Sequence, residues 1–457
     1  LYPKLQIEGG AGVRPHKNSI NNYCYPENPE AGIDLFLEKL VQETEKEHED
    51  ILEQADETDA MFGELYSWYL RNPEYRSRVQ KLVQSAFAGK PKDIISQSVA
   101  KALYGEVSPY SATRLERFAA CAFAHFLQYG MKLTERVEYE FKPMDMGNVM
   151  HEALESYAQE ERKRGMKWTE LTEQERNEIA DRCLDNIVAD YGNTVLKSSA
   201  RNEYMIERTR RILRRTVWAL QKQLEQGEFQ PEGFEVTFGG GRIDRVDIME
   251  DQNKVYVKVI DYKTGNTSFD LVYLYHGLQL QLMIYLDGAL RVEQKKYPDK
   301  EIIPAGVFYY NIKDPMIQEK IDADVEAVSA GLMKELKMNG LVQADPELVY
   351  RVDSSLGSIP VAFNKDGSFR KNSSVADRTQ FAVLGRYVRT KIEKIRSSIL
   401  EGDAEVSPYE LGKKNACTYC PYMTVCGFDR KLSGYEFHRL KNFSDEELWK
   451  AFDREAE

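Results

Sequence analysis

Apolar side chains recur along this chain with two different periods. From about 34 to 104 they return every three or four positions. Leu37, Leu40 and Val41 begin one stripe, and Phe62, Leu65, Trp68, Tyr69 and Leu70 supply another. That spacing predicts helices. A further helix is expected to open just after Pro109. Ser111 and Thr113 can cap it, Thr113 with Glu116 fits a capping box, and Leu115, Phe118, Cys121, Phe123 and Phe126 follow. Helical material continues from Met146 to about Gln226. The period then shortens to two: Val255, Val257 and Val259 alternate with Tyr256, Lys258 and Ile260, as in a strand. Strands are predicted over about 233 to 263. Gly239 to Gly241 open the first of a hairpin pair, and Met249 to Asn253 form the turn. A helix from about Leu278 to Glu293 and a strand from Ile303 to Ile312 come next. Residues 325 to 400 read as mostly helical and charged.

The hairpin carries the most informative chemistry. Asp261 and Lys263 continue the valine parity, so both side chains leave one face of their strand. On the other strand Asp244 shares a face with Arg242 and Val246, whereas Asp247 points the opposite way. Two carboxylates can hold a divalent cation between them, and a nearby ammonium can steady the water or phosphate oxygen that reacts there. This points to metal-assisted phosphodiester cleavage. An isolated Asp-x-Lys is more often a strand end with a solvated lysine, so the trio needs company. Candidates are His151, which follows Gly147 by four residues, and Gln281 with Tyr285, which share a helix face at i and i+4.

Length and composition bound the rest. A chain of 457 residues accommodates two or three domains at roughly 150 residues each. It starts at Leu1, so a fragment or processed piece is expected. Residues 1 to about 33 are polar and irregular, like a linker or the tail of something larger. No run of ~20 apolar residues offers a membrane span, so a soluble, cytoplasmic protein is expected. The net charge of −12 argues against generic affinity for nucleic acid. Acidic residues concentrate early, from Glu43 to Asp59, as on a solvated helix face. A local basic stretch, Arg208, Arg210, Arg211, Arg214 and Arg215, either contacts phosphate or pairs with Glu203 and Glu207. Arg386, Arg389, Lys391, Lys394 and Arg396 form a weaker set. No Walker-type phosphate loop is present, so ATP hydrolysis is not expected of this chain.

Three of the six cysteines, Cys417, Cys420 and Cys426, fall within ten residues, which points to metal. Three thiolates want a fourth, and Cys121, on the helix that opens the unit, is the best candidate. Four thiolates suit zinc or an iron–sulfur cluster, and spacing does not separate the two. Cys24 and Cys183 read as ordinary thiols.

Together, Gly147-x3-His151, Gly241-Arg242-Ile243-Asp244, Asp261-Tyr262-Lys263 and Gln281-x3-Tyr285 resemble the RecB-type nuclease domain of the PD-(D/E)XK superfamily. One cysteine before the domain and Cys-x2-Cys-x5-Cys after it resemble its iron-staple variant, found in the AddB family of bacterial helicase–nuclease subunits and in small CRISPR-associated nucleases. Ser111-Ala112-Thr113-Arg114-Leu115-Glu116 running into Cys121-Ala122-Phe123 is most similar to the AddB family, although Ala122 stands where a proline is common. The resemblance covers about 106 to 430 and, more loosely, 34 to 105. It implies an α/β fold, a central mixed β-sheet flanked by helices, preceded by a mainly helical region. The implied division is 1–105 as the end of a helicase-like domain or a linker, 106–430 as the nuclease domain, and 431–457 as a tail. His151, Asp244, Asp261 and the main chain of Tyr262 would bind Mg²⁺, with Mn²⁺ as the alternative. Lys263 would orient or activate water, while Gln281 and Tyr285 support the site. Cys121, Cys417, Cys420 and Cys426 would hold a [4Fe–4S] cluster. The implied activity is cleavage of the unwound, 5′-terminated strand at broken DNA ends, in a heterodimer with an AddA-type helicase–nuclease subunit. A non-catalytic strand-guiding module and a stand-alone nuclease, with zinc or with an iron–sulfur cluster, are the alternatives. Retention of His151, Asp244, Asp261 and Lys263 weighs against the first.

Overall fold

The computed structural model describes residues 57–86, 94–105, 111–134, 143–165, 167–190, 199–239, 241–317, 324–432 and 434–456, with isolated positions between 29 and 40. The polar stretch up to 28 with Cys24, the acidic run over 43–56 and Pro109 lie outside the described residues. The chain divides into two compact units, one reaching Asp93 and including Met423–Phe437, the other comprising Ile94–Tyr422 and His438–Glu457. In the first, helices α1 (Glu57–Arg71) and α2 (Pro73–Ala86) bury Leu65, Tyr69 and Val79 with Ile33, Phe36 and Leu40. Phe36 stacks on Phe62 at 4.6 Å between ring centres.

The second unit is built on a six-stranded mixed sheet. Its strands are β1 (Gln230–Phe238), β2 (Gly241–Asp251), β3 (Lys254–Lys263), β4 (Glu301–Asn311), β5 (Asn339–Gln343) and β6 (Val375–Ala376), side by side in chain order. β1, β2 and β3 form an antiparallel meander. β3 and β4 are parallel, so the chain must cross over between them, and helix α8 (Gln281–Lys296) is that crossover. One face is covered by α5 (Pro143–Arg164), α6 (Glu173–Asp190) and α7 (Ala200–Glu225). The other is covered by α3 (Gln97–Tyr104), α4 (Ala112–Ala120), α8, α9 (Arg378–Glu401) and α10 (Asp445–Ala456). With helices on both sides, every residue from Val255 to Tyr262 is buried, and the alternation becomes one of which core each side chain enters. Val255, Val257 and Val259 enter the α8 side, Tyr256, Ile260 and Tyr262 the α7 side.

Four sequence expectations are corrected. The turn after β2 is only Gln252–Asn253, since Asp251 still pairs with Lys254, and Gln252 takes a left-handed φ of 44°. A two-residue hairpin needs positive φ, which polar residues without glycine do not advertise. The helix after Ser111 breaks at Cys121, which is extended (φ −169°, ψ 116°), before a short helix Ala122–His125. The Thr113–Glu116 capping box does not form: Ser111 itself caps α4 by accepting from Arg114 N, and Glu116 is engaged elsewhere. Finally, 325–400 contains β5 and β6, short strands whose pairing depends on β4. Only α9 there is a long helix, capped by Asp377 and stopped by Gly402 at φ 93°. A Cβ on Gly402 would stand 2.0 Å from the carbonyl oxygen of Ile95.

Candidate functional site

The pairing of β2 with β3 determines what meets what. Arg245 lies opposite Ile260, and one step further along the same register puts Asp244 opposite Asp261. Both belong to the face that looks toward α8. Asp244 is 8% and Asp261 1% exposed. Like charges across a strand pair repel. Burial first, and then the charge of Asp244, push the Asp261 carboxyl up to about 7, with Lys263 pulling the other way. The Tyr262 main-chain N–H donates to Asp244 Oδ2 at 2.7 Å, which orients that carboxylate. The Tyr262 side chain enters the opposite core, so only its main chain is available to the site.

Helix α5 brings His151 to the same place. Its Nδ1 is 3.3 Å from Asp244 Oδ2 and 3.9 Å from Glu235 Oε1. Burial pulls the imidazole down, but bonding to Asp244 and Glu235 and the charges of Asp244 and Asp261 outweigh it, raising His151 to about 10. His151, Glu235 and Asp244 bring ligand atoms within 4.8 Å of one another, a donor set of imidazole and carboxylates that fits a divalent cation. Glu235 was missed in the sequence. The β1–β2 register, Phe234 to Arg245 and Val236 to Ile243, places it opposite Asp244, and no local signal encodes that. It holds a left-handed φ of 50°, strained for a residue with a Cβ, and pairs with Arg242 at 2.5 Å.

On the other side of the carboxylates the lysine is held by a short relay. Lys263 Nζ is 2.5 Å from Asp261 Oδ2 and donates to Gln281 Oε1 at 2.8 Å. Gln281 Nε2 donates to the Tyr285 hydroxyl at 2.9 Å. The i, i+4 pair of the sequence is thus a connected pair. Glu116 of α4, also missed, accepts from the main-chain N–H groups of Leu280 and Gln281 at 2.7 and 2.9 Å. Asp247 leaves β2 on the far face, where it binds Arg245 at 2.6 and 2.8 Å and Lys258 at 3.0 Å, all three buried.

The basic stretch on α7 has other partners than those expected. Arg210 pairs with Asp185 at 2.7 Å and with Glu207, Arg214 with Asp181, and Arg211 with Asp314 at 2.5 Å. Arg215 lies over the Trp218 ring at 5.2 Å. In the later set, Arg389 binds Asp287 at 2.8 Å and Lys394 reaches Glu455 at 3.5 Å. Both sets are largely engaged with carboxylates.

Cys121 and Cys420, 299 positions apart in sequence, pack in one small cluster with Ala124, Leu127 and Tyr422. Burial raises the Cys121 thiol, while main-chain N–H groups of Ala124, Ser407 and Phe123 directed at its sulfur act in the opposite sense. The Cys420 N–H donates to the Cys417 carbonyl at 3.1 Å, and Asn415 Oδ1 accepts from the N–H groups of Cys417 and Thr418. Cys426 Sγ accepts from Phe428 N at 3.4 Å. Sulfurs surrounded by N–H donors suit a thiolate-bound metal group. Cys183 is buried in the helical core, an ordinary thiol.

A model of the PD-(D/E)XK nuclease superfamily matches residues 109–427. The chain is also similar to the B-type polypeptide of the ATP-dependent helicase/deoxyribonuclease from several bacteria. It is 41% identical to that of Lachnoclostridium phytofermentans, over 88% of this chain and 36% of the relative. It is 33% identical to the protein of Thermoanaerobacter sp. (strain X514), over 88% and 37%, and 34% to that of Alkaliphilus metalliredigens, over 87% and 37%. The chain therefore spans little more than a third of the length of these relatives.

Proposed function

The chain belongs to the PD-(D/E)XK nuclease superfamily, and from that premise we propose that it is the metal-dependent DNA-cutting region of a helicase–nuclease subunit of the AddB kind. The observation that carries the reading is the convergence of Asp244 and Asp261 with His151 on one side and Lys263 on the other. Ion pairs that merely stabilise a fold do not need two carboxylates facing each other across a buried strand pair. A site built to receive a cation does.

In this reading His151, Asp244 and Asp261, with the Tyr262 carbonyl, hold Mg²⁺ or Mn²⁺. Bound there, the cation supplies Lewis acidity at the scissile phosphate and a more acidic water. The residues of the chain do the rest. Asp244 is aimed by the Tyr262 N–H. Asp261 anchors the lysine, and Lys263 presents its ammonium protons to a phosphate oxygen or to the attacking water. Gln281 and Tyr285 restrict the lysine to that direction and line the approach of the strand. The substrate is single-stranded DNA unwound from a broken duplex end, cut on the 5′-terminated strand. The partner is an AddA-type helicase–nuclease. Cys121, Cys417, Cys420 and Cys426 hold a [4Fe–4S] cluster with a structural role. Among the described residues no helix is long and apolar enough to cross a membrane.

The test is Asp261→Ala assayed on single-stranded DNA with Mg²⁺. Cleavage should vanish while the circular dichroism spectrum is kept, and undiminished cutting would sink the assignment. For the cluster, anaerobically purified protein should be brown, with broad absorbance that bleaches on reduction. A colourless protein with stoichiometric zinc would defeat that part alone.

A further inference from the structure

We infer that Glu116 is a positioning residue for the catalytic lysine, acting through the first turn of α8. This rests on the nuclease reading above and extends it to a residue on a different helix.

A helix begins with main-chain N–H groups that have no partner within the helix. The cap position of α8 is Leu280, whose side chain has no oxygen, and no cap bond comes from it. Glu116 fills that role from 164 residues away. Its Oε1 accepts from both Leu280 N and Gln281 N. A carboxylate at a helix N-terminus is also favoured by the helix dipole. Gln281 is the first residue of α8, so this contact grips the main chain of the residue whose side chain holds Lys263. The same side chain reaches Tyr285 one turn later. The connected path runs from Glu116 through the Gln281 main chain to its amide oxygen, to Lys263 Nζ and to Asp261.

Alternative partners for Glu116 are already excluded by its position. The capping box with Thr113 does not form, because Ser111 caps α4. Glu116 lies close enough to Lys263 and Asp261 to feel both charges, so the interaction belongs to the site electrostatically as well as geometrically. Burial is the largest influence on its carboxyl, and burying an acid is unfavourable unless the group does something there.

The experiment compares Glu116→Ala, Glu116→Gln and Glu116→Asp in the intact protein, with Mg²⁺ and single-stranded DNA. Loosening a positioning contact by about 1 Å costs up to roughly a hundredfold in rate, so Glu116→Ala should lower kcat by ~10- to 100-fold. KM for DNA should stay within about twofold, because no strand contact is removed. Glu116→Gln keeps an oxygen that accepts both N–H groups and should restore kcat to within about threefold of wild type. Glu116→Asp is one methylene short and should resemble the alanine variant; it serves in its place if alanine does not fold. Because Glu116 acts through Gln281, Glu116→Ala/Gln281→Ala should be little worse than Gln281→Ala alone. Hydrogen exchange over the first turn of α8 gives a readout independent of chemistry, rising in the alanine variant and not in Glu116→Gln. Unchanged kcat in Glu116→Ala or Glu116→Asp, losses that multiply with Gln281→Ala, or failure of glutamine to rescue would overturn the inference. Provided Asp261→Ala is inactive, such a result would leave the nuclease reading standing. An active Asp261→Ala would sink both.

Discussion

Asp244 and Asp247 stand three residues apart on β2 and do opposite work, and a pair of isosteric changes separates them. Asp247 is 0% exposed and neutralises two buried cations, Arg245 at 2.6 and 2.8 Å and Lys258 at 3.0 Å. Both cations also lie against aromatic rings, Arg245 over Trp168 at 5.7 Å and Lys258 over Phe229 at 5.1 Å. Asp247→Asn removes the one negative charge and leaves two positive groups buried together. Breaking a buried pair by removing one partner costs about 3–5 kcal/mol, and this is a triad with a net positive charge already. Against total stabilities of about 5–15 kcal/mol that is a large fraction. For a domain of this size it corresponds to a fall in melting midpoint on the order of 5–10 °C. Asp244→Asn removes a carboxylate that faces another carboxylate and raises its pKa. It should leave the midpoint within about 2 °C or raise it, while abolishing cleavage, as is common when a strained active site is relaxed. Differential scanning fluorimetry and a Mg²⁺ cleavage assay on the same preparations decide the matter. A midpoint for Asp247→Asn within ~1 °C of wild type, or equal losses for the two variants, would refute the division of labour.

Three further outcomes are expected. In the metal-free protein His151 is raised to about 10, and so is protonated at neutral pH. A cation must displace that proton, so affinity for Mn²⁺ measured by calorimetry should rise toward about tenfold per pH unit between pH 7 and 9, and a flat profile would contradict the ligand role. By the same linkage, metal-free stability is fully present below about pH 6.5 and is lost as pH climbs through 10. Arg210→Ala and Arg214→Ala should leave DNA affinity within about twofold and lower the melting midpoint slightly, because both groups are already paired with acids; a tenfold loss of affinity would restore a phosphate role. Cys426→Ala should lower thermal stability before it alters cleavage, and an unchanged unfolding curve would defeat a structural role for the cysteine group.

Much of the site is legible along the chain itself. Strand parity alone puts Asp261 and Lys263 on one face and separates Asp244 from Asp247, because a repeat of two leaves no choice of side. Helical spacing joins Gln281 to Tyr285 for the same kind of reason. Elements with long runs of their own periodicity, β3, β4, α8 and α9, are legible within a few residues. Those that fail are short or contextual. β5 and β6 exist because β4 offers an edge to pair with, and the break at Cys121 accompanies a bond from Phe123 N to the carbonyl of Glu405.

Local periodicity and residue chemistry determined which side chains could act and which way each one faces along its own element. Only the tertiary structure decided which of them meet. The register of β1 on β2 brings Glu235 opposite Asp244, and the docking of α4 against α8 turns Glu116 from an apparent cap of its own helix into the cap of another. Partners for Arg210 and Arg214 come chiefly from α6. Sequence periodicity is a property of one element, whereas register and helix docking are set by how two elements share a core. The first can be read along the chain; the second exists only once the chain has folded back on itself.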